Sequence, residues 1–373
     1  MAKTISVVVI DDSAFMRKSI SMMLESDPTI KVVATARDGK DGLEKVKQYQ
    51  PDIVTLDVEM PVMDGITALK RIMKECPTPV VMLSSVTTEG AKITLDALNA
   101  GALDFIAKDR SFVSVAIKNI KDDLLEKVRA IASSSRVQLS FQKLRQRAGL
   151  KVAGLDAPSP KPRTPSIGKQ YISRNTQEFK ALVLGISTGG PFALMQMLPK
   201  VPAGFPLPIA IVQHMPPNFT KSMAERLNAE CQLTVREAVD GDKMEKGTVL
   251  IAPGGQHLVF QRRGSDVVAR ITEEPKSALY RPCVDVMMLS AVDACRGSLL
   301  GVIMTGMGKD GLEGLRAIKK SNGYVLAQDE DSCVVYGMPK AAVDDGLADA
   351  IVPLEGIAGA LVQIVGTRFT VAA

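Results

Sequence analysis

The feature that most constrains this chain is a repeated alternation: a short continuous apolar run, then a stretch with helical spacing, again and again. In the first third the apolar runs are SVVVI, KVVATA, DIVTLD, PVVMLS and LDFIAK. The stretches that follow them are Ser13 to Glu25, DGLEKVKQY, GITALKRIMKE, EGAKITLDALNAG and SVAIKNIKDDLLEKVRAIA. Strands that are apolar on both faces must be covered on both faces, and parallel strands need crossover connections that helices supply. The alternation predicts an α/β domain with a parallel sheet between two helical layers. A second series begins near residue 177. ALVLGIS, PIAIVQH, GTVLIAP, LLGVIMTG and GYVLAQ read as strands, and HLVFQ and VVARI around RRGSD read as an antiparallel hairpin.

Residues 131–176 break the alternation. They contain SSS, a weakly helical basic stretch and APSPKPRTPS, with nine Lys or Arg against one Asp. Such a segment cannot bury enough apolar surface to fold and reads as a solvated linker. The expected organisation is a domain at 1–130, a basic Pro/Ser-rich linker at 131–176 and a second domain at 177–373. The net charge of +5 therefore resides in the linker, and the rest of the chain is slightly negative. With no stacking platform and no compact basic recognition helix, no nucleic-acid partner is expected. No apolar run approaches the ~18 residues of a membrane span, so no membrane insertion is expected. MAKTISVVVIDDS lacks the length and cleavage site of a secretory signal, which points to the cytoplasm. The five cysteines are scattered and never spaced C-x-x-C, which fits free thiols.

In a parallel sheet, chemistry gathers at the carboxyl ends of the strands. There the first domain places Asp11 and Asp12, Asp57, Ser84 and Lys108. Carboxylates converging on one edge repel one another unless a cation lies among them, and hard oxygen ligands suit Mg2+. A carboxylate beside Mg2+ and a lysine can attack a phosphoryl donor. Helix capping is the competing role for each aspartate taken singly. VVIDDSAFMR, TLDVEMPVMDG, VVMLSS and GALDFIAKD resemble the receiver domain of two-component response regulators, over residues 1 to about 125. The resemblance implies a flavodoxin-like fold with Asp57 as phospho-acceptor. It implies Asp11, Asp12, Asp57 and the main-chain carbonyl of Glu59 around Mg2+. Ser84 and Lys108 would bind the phosphoryl oxygens, and Phe105 would be the aromatic switch. Asp109 follows Lys108 where receivers usually carry proline, so the cis bond usual at that place is not implied here.

The second domain poses its question at KALVLGISTGGP, where an apolar strand stops at Ser187. Three roles compete: a phosphate cradle at a helix N-terminus, a helix cap, or a nucleophile. The cradle lacks the lysine of G-x-x-x-x-G-K-[ST] and the spacing of G-x-G-x-x-G. A nucleophile needs a base, and the chain has only two histidines, His214 and His257. His214 follows PIAIVQ and shares the strand-end edge with Ser187, whereas His257 opens a strand. The acid that would orient the base is expected at Asp310 in TGMGKDG, with Asp285 and Asp329 as rivals. Turn amides near Ser187 or in TGMG would serve an oxyanion. There is no G-x-S-x-G elbow, and the order Ser, His, Asp matches neither α/β-hydrolases nor subtilisins.

GISTGGP, VQHMPPNFT, IAPGGQHL, YRPCVDVMM, MTGMGKDG and AQDEDSCVVYGMPKAA resemble the catalytic domain of chemotaxis methylesterases. With the receiver and linker, the resemblance spans nearly the whole chain. It implies two doubly wound, mainly parallel-sheet domains, the second Rossmann-like with antiparallel additions. It implies hydrolysis of glutamate methyl esters, and deamidation of glutamines, on methyl-accepting chemoreceptors by Ser187, His214 and Asp310. The main chain at Met307 would contribute to the oxyanion site and Thr188 would line it. A chemotaxis histidine kinase would be the phosphodonor, Mg2+ would serve the receiver alone, and the ester step would need no cofactor. Cys283 stands where serine or alanine is expected. The receiver is expected to block the Ser187 edge until Asp57 is phosphorylated. A response regulator with a non-catalytic binding domain is the competing function.

Overall fold

The computed structural model describes residues 4–108, 116–147 and 178–366, and the chain divides into two compact units, Met1–Ser159 and Pro160–Ala373. The first contains β1 (Ile5–Ile10), α1 (Ala14–Glu25), β2 (Ile30–Ala36), α2 (Gly39–Tyr49), β3 (Ile53–Asp57), α3 (Gly65–Glu75), β4 (Val80–Ser85), α4 (Thr88–Asn99), β5 (Asp104–Lys108), α5 (Ala116–Ser133) and α6 (Ser135–Arg147). Its five strands are all parallel, in the order β2-β1-β3-β4-β5. Val7–Ile10, Ile53, Val54, Leu56 and Val80–Leu83 are buried, as strands covered on both faces must be. Ser13, Asp38, Asp64 and Thr87 cap the first four helices, each accepting from a main-chain N–H of the first turn. Such a cap contributes about 1 kcal/mol and fixes where each helix leaves its strand.

Helix α6 corrects the expected linker. Val137 and Phe141, one turn apart, are buried, and the Arg145 guanidinium donates to the Pro77 carbonyl and the Thr78 hydroxyl ahead of β4. Net charge in this stretch conceals a helix with one apolar side, which docks on the first unit. The Pro/Ser-rich remainder of the linker and the Lys108–Asp109 bond lie outside the described residues.

The second unit contains β6 (Ala181–Ile186), α7 (Gly190–Met197), β7 (Ile209–Gln213), α8 (Phe219–Glu230), β8 (Thr234–Glu237), β9 (Thr248–Ile251), β10 (His257–Arg263), β11 (Asp266–Thr272) and α9 (Val284–Cys295). It continues with β12 (Leu299–Ile303), α10 (Leu312–Lys320), β13 (Tyr324–Gln328), α11 (Met338–Asp344), β14 (Ala350–Val352) and α12 (Leu354–Ile364). Seven strands form a parallel sheet in the order β14-β13-β12-β6-β7-β9-β8, and β10 and β11 pair antiparallel apart from it. The hairpin was expected from RRGSD. The two strands that the pattern misses, β8 and β14, are the two edges of the sheet. An edge strand need not be apolar throughout: β8 reads TVRE and β14 is three residues long. Helix α9 anchors the core through Val284, Met287, Met288 and Ala291, all fully buried.

The order of this sheet decides what meets what. β6 is central, with β12 on one side and β7 on the other. The chain segments leaving β12, β6 and β7 are thus neighbours at one rim, although β6 and β12 end more than a hundred residues apart in the sequence.

Candidate active site and phosphoryl site

In the first unit, carboxylate oxygens of Asp11, Asp12 and Asp57 all lie within 4.8 Å of one another. β1 delivers the first two and the adjacent β3 delivers the third. Asp11 and Asp57 are buried and Asp12 is exposed, which leaves the cluster one open side. Lys108, at the end of β5, places its Nζ 2.6 Å from Asp57 and 3.1 Å from Asp11. Burial pushes the Asp57 carboxyl up to about 6 even though Lys108 opposes the shift. One ammonium is therefore too little positive charge for this group, and the hard-oxygen donor set with its open side fits a small divalent cation.

The other expected receiver residues are distributed around this cluster. Glu59 is exposed two residues beyond Asp57. Ser84 is buried, but its hydroxyl donates to the Gly90 carbonyl and accepts from Thr94, so it is engaged with α4. Phe105 is buried, with the Lys127 ammonium 5.5 Å from its ring centre.

In the second unit, Ser187 leaves β6 with its main chain held from two sides. Its N–H donates to the Thr305 carbonyl, and its own carbonyl accepts from Gly190 and from the Gln213 side chain. Helix α7 starts at Gly190, capped by Gly189 at φ 74° with no side-chain hydrogen bond. The Ser187 hydroxyl is thus not the cap of α7. It lies 3.1 Å from Nδ1 of His214, and Nε2 of His214 lies 2.8 Å from Oδ2 of Asp310. A hydroxyl, an imidazole and a carboxylate from the ends of β6, β7 and β12 form one hydrogen-bonded chain.

The state of each group follows from its surroundings. Asp310 is buried, which by itself would raise its carboxyl. The bond to His214, with main-chain N–H donors from Val284 and Asp285 at the first turn of α9, overrides burial and holds it at about 2. The Cys283 thiol, pushed up to about 12 chiefly by burial, stays protonated and donates to Oδ1 at 3.2 Å. Asp310 is therefore ionised and can only accept. His214 must carry its proton on Nε2, which leaves the lone pair of Nδ1 facing Ser187. The two imidazole nitrogens have exchanged the duties they hold in chymotrypsin-like triads, where Nε2 meets the serine.

The rival groups have other partners. The Asp285 carboxylate accepts from Gly314 at the start of α10, and Asp329 caps a 3-10 turn through Ser332. His257 is fully buried at the start of β10, and its ring nitrogens meet no hydrogen-bond partner among the described residues. Burial holds that imidazole below its ordinary range.

A family model for the CheB methylesterase matches residues 182–361, and one for the response regulator receiver domain matches residues 7–116. The chain is 46% identical to a protein-glutamate methylesterase/protein-glutamine glutaminase of Oleidesulfovibrio alaskensis, over 97% of this chain and 99% of that one. The chain belongs to the CheB methylesterase family. A second such protein, from Nitratidesulfovibrio vulgaris, is 48% identical over 96% of this chain and 99% of its own length. Among solved structures, the CheB methylesterase catalytic domain of Thermotoga maritima is 42% identical, covering 50% of this chain and 98% of that chain with a TM-score of 0.48.

Within this CheB-family chain, several residues around Ser187 carry no sequence signal of their role. The Gln213 amide donates to the carbonyls of both Ser187 and His214. Its place next to His214 is the only hint of this in the sequence. Thr305 donates its hydroxyl to the Thr188 carbonyl and accepts from Val334 and Val335, which knots three loops behind the serine. Gly306 is required by proximity: a Cβ there would come within 2.8 Å of Ser187 Cβ and 2.4 Å of Met338 Sδ. Thr188 is buried beside this knot, and Met307 follows Gly306 directly.

Proposed function

We propose that the Ser187 site hydrolyses methyl esters of glutamate side chains on methyl-accepting chemoreceptors and deamidates receptor glutamines, under control of phosphorylation at Asp57. The observation that carries this reading is the continuous hydrogen-bonded chain from Ser187 through His214 to Asp310. Nδ1 of His214 takes the proton of the Ser187 hydroxyl as its oxygen attacks the ester carbonyl. The main-chain N–H of Met307, which follows the Gly306 that approaches Ser187, is the candidate donor to the oxyanion, with Thr188 lining the site; one such donor is worth ~3 kcal/mol. Collapse of the adduct expels methanol, which leaves with the proton from Nδ1. Water, deprotonated by the same nitrogen, then releases a free glutamate. For a glutamine the leaving group is ammonia and the product is the same carboxylate. Asp310 stays ionised throughout and steadies the imidazolium.

In the receiver, Asp11, Asp12, Asp57 and the Glu59 carbonyl would hold Mg2+, which would supply positive charge beside the attacking carboxylate and the transferring phosphoryl group. Lys108 supplies a fixed charge at the same place. Ser84 would turn from α4 toward the phosphoryl oxygens, with Phe105 as its aromatic partner in the switch. A chemotaxis histidine kinase is the phosphodonor this reading implies, and the cytoplasm is its compartment.

Methanol release from methylated receptor membranes tests the reading. Ser187→Ala is expected to reduce release about 10^6-fold, to the level set by binding and oxyanion stabilisation alone. Asp57→Ala is expected to keep basal release and lose the roughly 5- to 150-fold stimulation by a phosphodonor. Release that survives Ser187→Ala would exclude the triad, and stimulation that survives Asp57→Ala would exclude the receiver assignment.

A further inference from the structure

The mechanism above leaves out the aromatic ring nearest to its base. Tyr280 stacks on His214 with ring centres 4.4 Å apart and planes 16° from parallel. Both hydrogen bonds of His214 lie at the edge of the imidazole, one to Ser187 and one to Asp310. Two edge contacts fix the ring within its own plane but leave it able to tip about the line joining the nitrogens. A flat neighbour against the face blocks that motion. We propose that Tyr280 is the positioning residue of His214, and that its face also stabilises the imidazolium formed when Nδ1 takes the Ser187 proton.

The place of Tyr280 in the fold supports both parts. It lies on the segment between β11 and α9, three residues before Cys283, whose thiol meets Asp310. A Cβ placed on Gly308 would meet its hydroxyl oxygen at 3.6 Å, so the side chain reaches across to the turn that carries Met307 and Asp310. Leu279, Tyr280, Cys283, Gly308 and Asp310 line one cleft of about 620 Å3. Tyr280 thus both walls a cleft beside the acid of the triad and covers the face of the base. The negative face of a tyrosine attracts a cation and does less for the neutral imidazole of the resting state. The stack therefore strengthens as Ser187 reacts, which is the condition for it to raise kcat instead of binding alone.

The proposal rests on the triad reading and is tested in the full-length chain with three variants. Tyr280→Leu and Tyr280→Met remove the π face and keep an apolar side chain; Tyr280→Phe keeps the face and removes only the hydroxyl. Two rates are measured: methanol release from methylated receptor membranes, and labelling of Ser187 by a fluorophosphonate too small to fill the cleft. The expected result is a fall of about 3- to 30-fold in kcat and in labelling rate for the Leu and Met variants, with KM within about two-fold of the parent. Tyr280→Phe restores both rates. The proposal is overturned by parental labelling in the Leu and Met variants, or by a raised KM with unchanged kcat, which makes Tyr280 a cleft wall only. It is equally overturned if Tyr280→Phe is as slow as Tyr280→Leu, since the hydroxyl and not the face then matters. A Ser187→Ala chain that still releases methanol removes the triad reading itself, and the proposal with it.

Discussion

Asp57 and Asp310 occupy equivalent places in two similar sheets. Both are buried, and both lie at the carboxyl rim of parallel strands. Their chemistry is opposite. Asp57 is pushed up to about 6, because burial outweighs one lysine and the main-chain N–H of Val58. Asp310 is held at about 2, because an imidazole and two N–H groups from the start of α9 converge on it. An under-served carboxylate keeps its affinity for a cation and its nucleophilicity. A fully served carboxylate is inert and serves as a fixed negative charge. Burial alone therefore says little about the role of an acid; the number of donors around it decides.

The comparison is broken most directly at Asp310. Asp310→Asn preserves shape but forces the His214 tautomer to change, and kcat for methanol release is expected to fall about 10^4-fold. A loss under ten-fold would mean that the carboxylate does not set the tautomer. Next comes the close approach that keeps Ser187 in place. Gly306→Ala, which presses on Ser187 Cβ, is expected to lower kcat roughly 100-fold with the overall fold kept. A smaller, stability-based contrast concerns acid. The folded carboxyl of Asp310 lies below its unfolded value, so its contribution is complete above about pH 4 and is lost as pH falls through about 2. The stability difference between parent and Asp310→Asn should shrink by about 2 kcal/mol across that window in denaturant titrations. The smallest effect belongs to the acidic cluster of the receiver. Mg2+ at ten times its Kd should stabilise the first unit by about 1.4 kcal/mol and leave the second unchanged, as followed by calorimetry. An equal shift in Asp57→Ala would show that Asp57 is not among the ligands.

Much of this architecture is legible from the one-dimensional pattern. The strands buried on both faces, β1, β3, β4, β6, β7 and β12, are continuous apolar runs, because two helical layers exclude water from them. The strands that escape the pattern are edges, β8 and β14, where one side needs no apolar cover. Helix α6 escapes because only Val137 and Phe141 among its described side chains are buried, amid many charges. Asp310 could be preferred over Asp285 and Asp329 only by its place in a glycine-rich turn. The structure separates the three by what each carboxylate accepts: an imidazole, the start of α10, and a 3-10 turn.

The amino-acid order by itself determined two α/β units, the strand ends on which reactive side chains stand, and the small set of acids and bases available to them. These are properties of local periodicity and composition, which act over a few residues at a time. Tertiary structure alone decided that β12, β6 and β7 are neighbours, that Nδ1 and not Nε2 of His214 meets Ser187, and that Tyr280 covers the imidazole face. It also decided that one buried aspartate meets only a lysine and one N–H while the other meets an imidazole, a thiol and two N–H groups. Strand order and ring orientation depend on packing between segments far apart in the sequence, and no local pattern records the outcome of that packing.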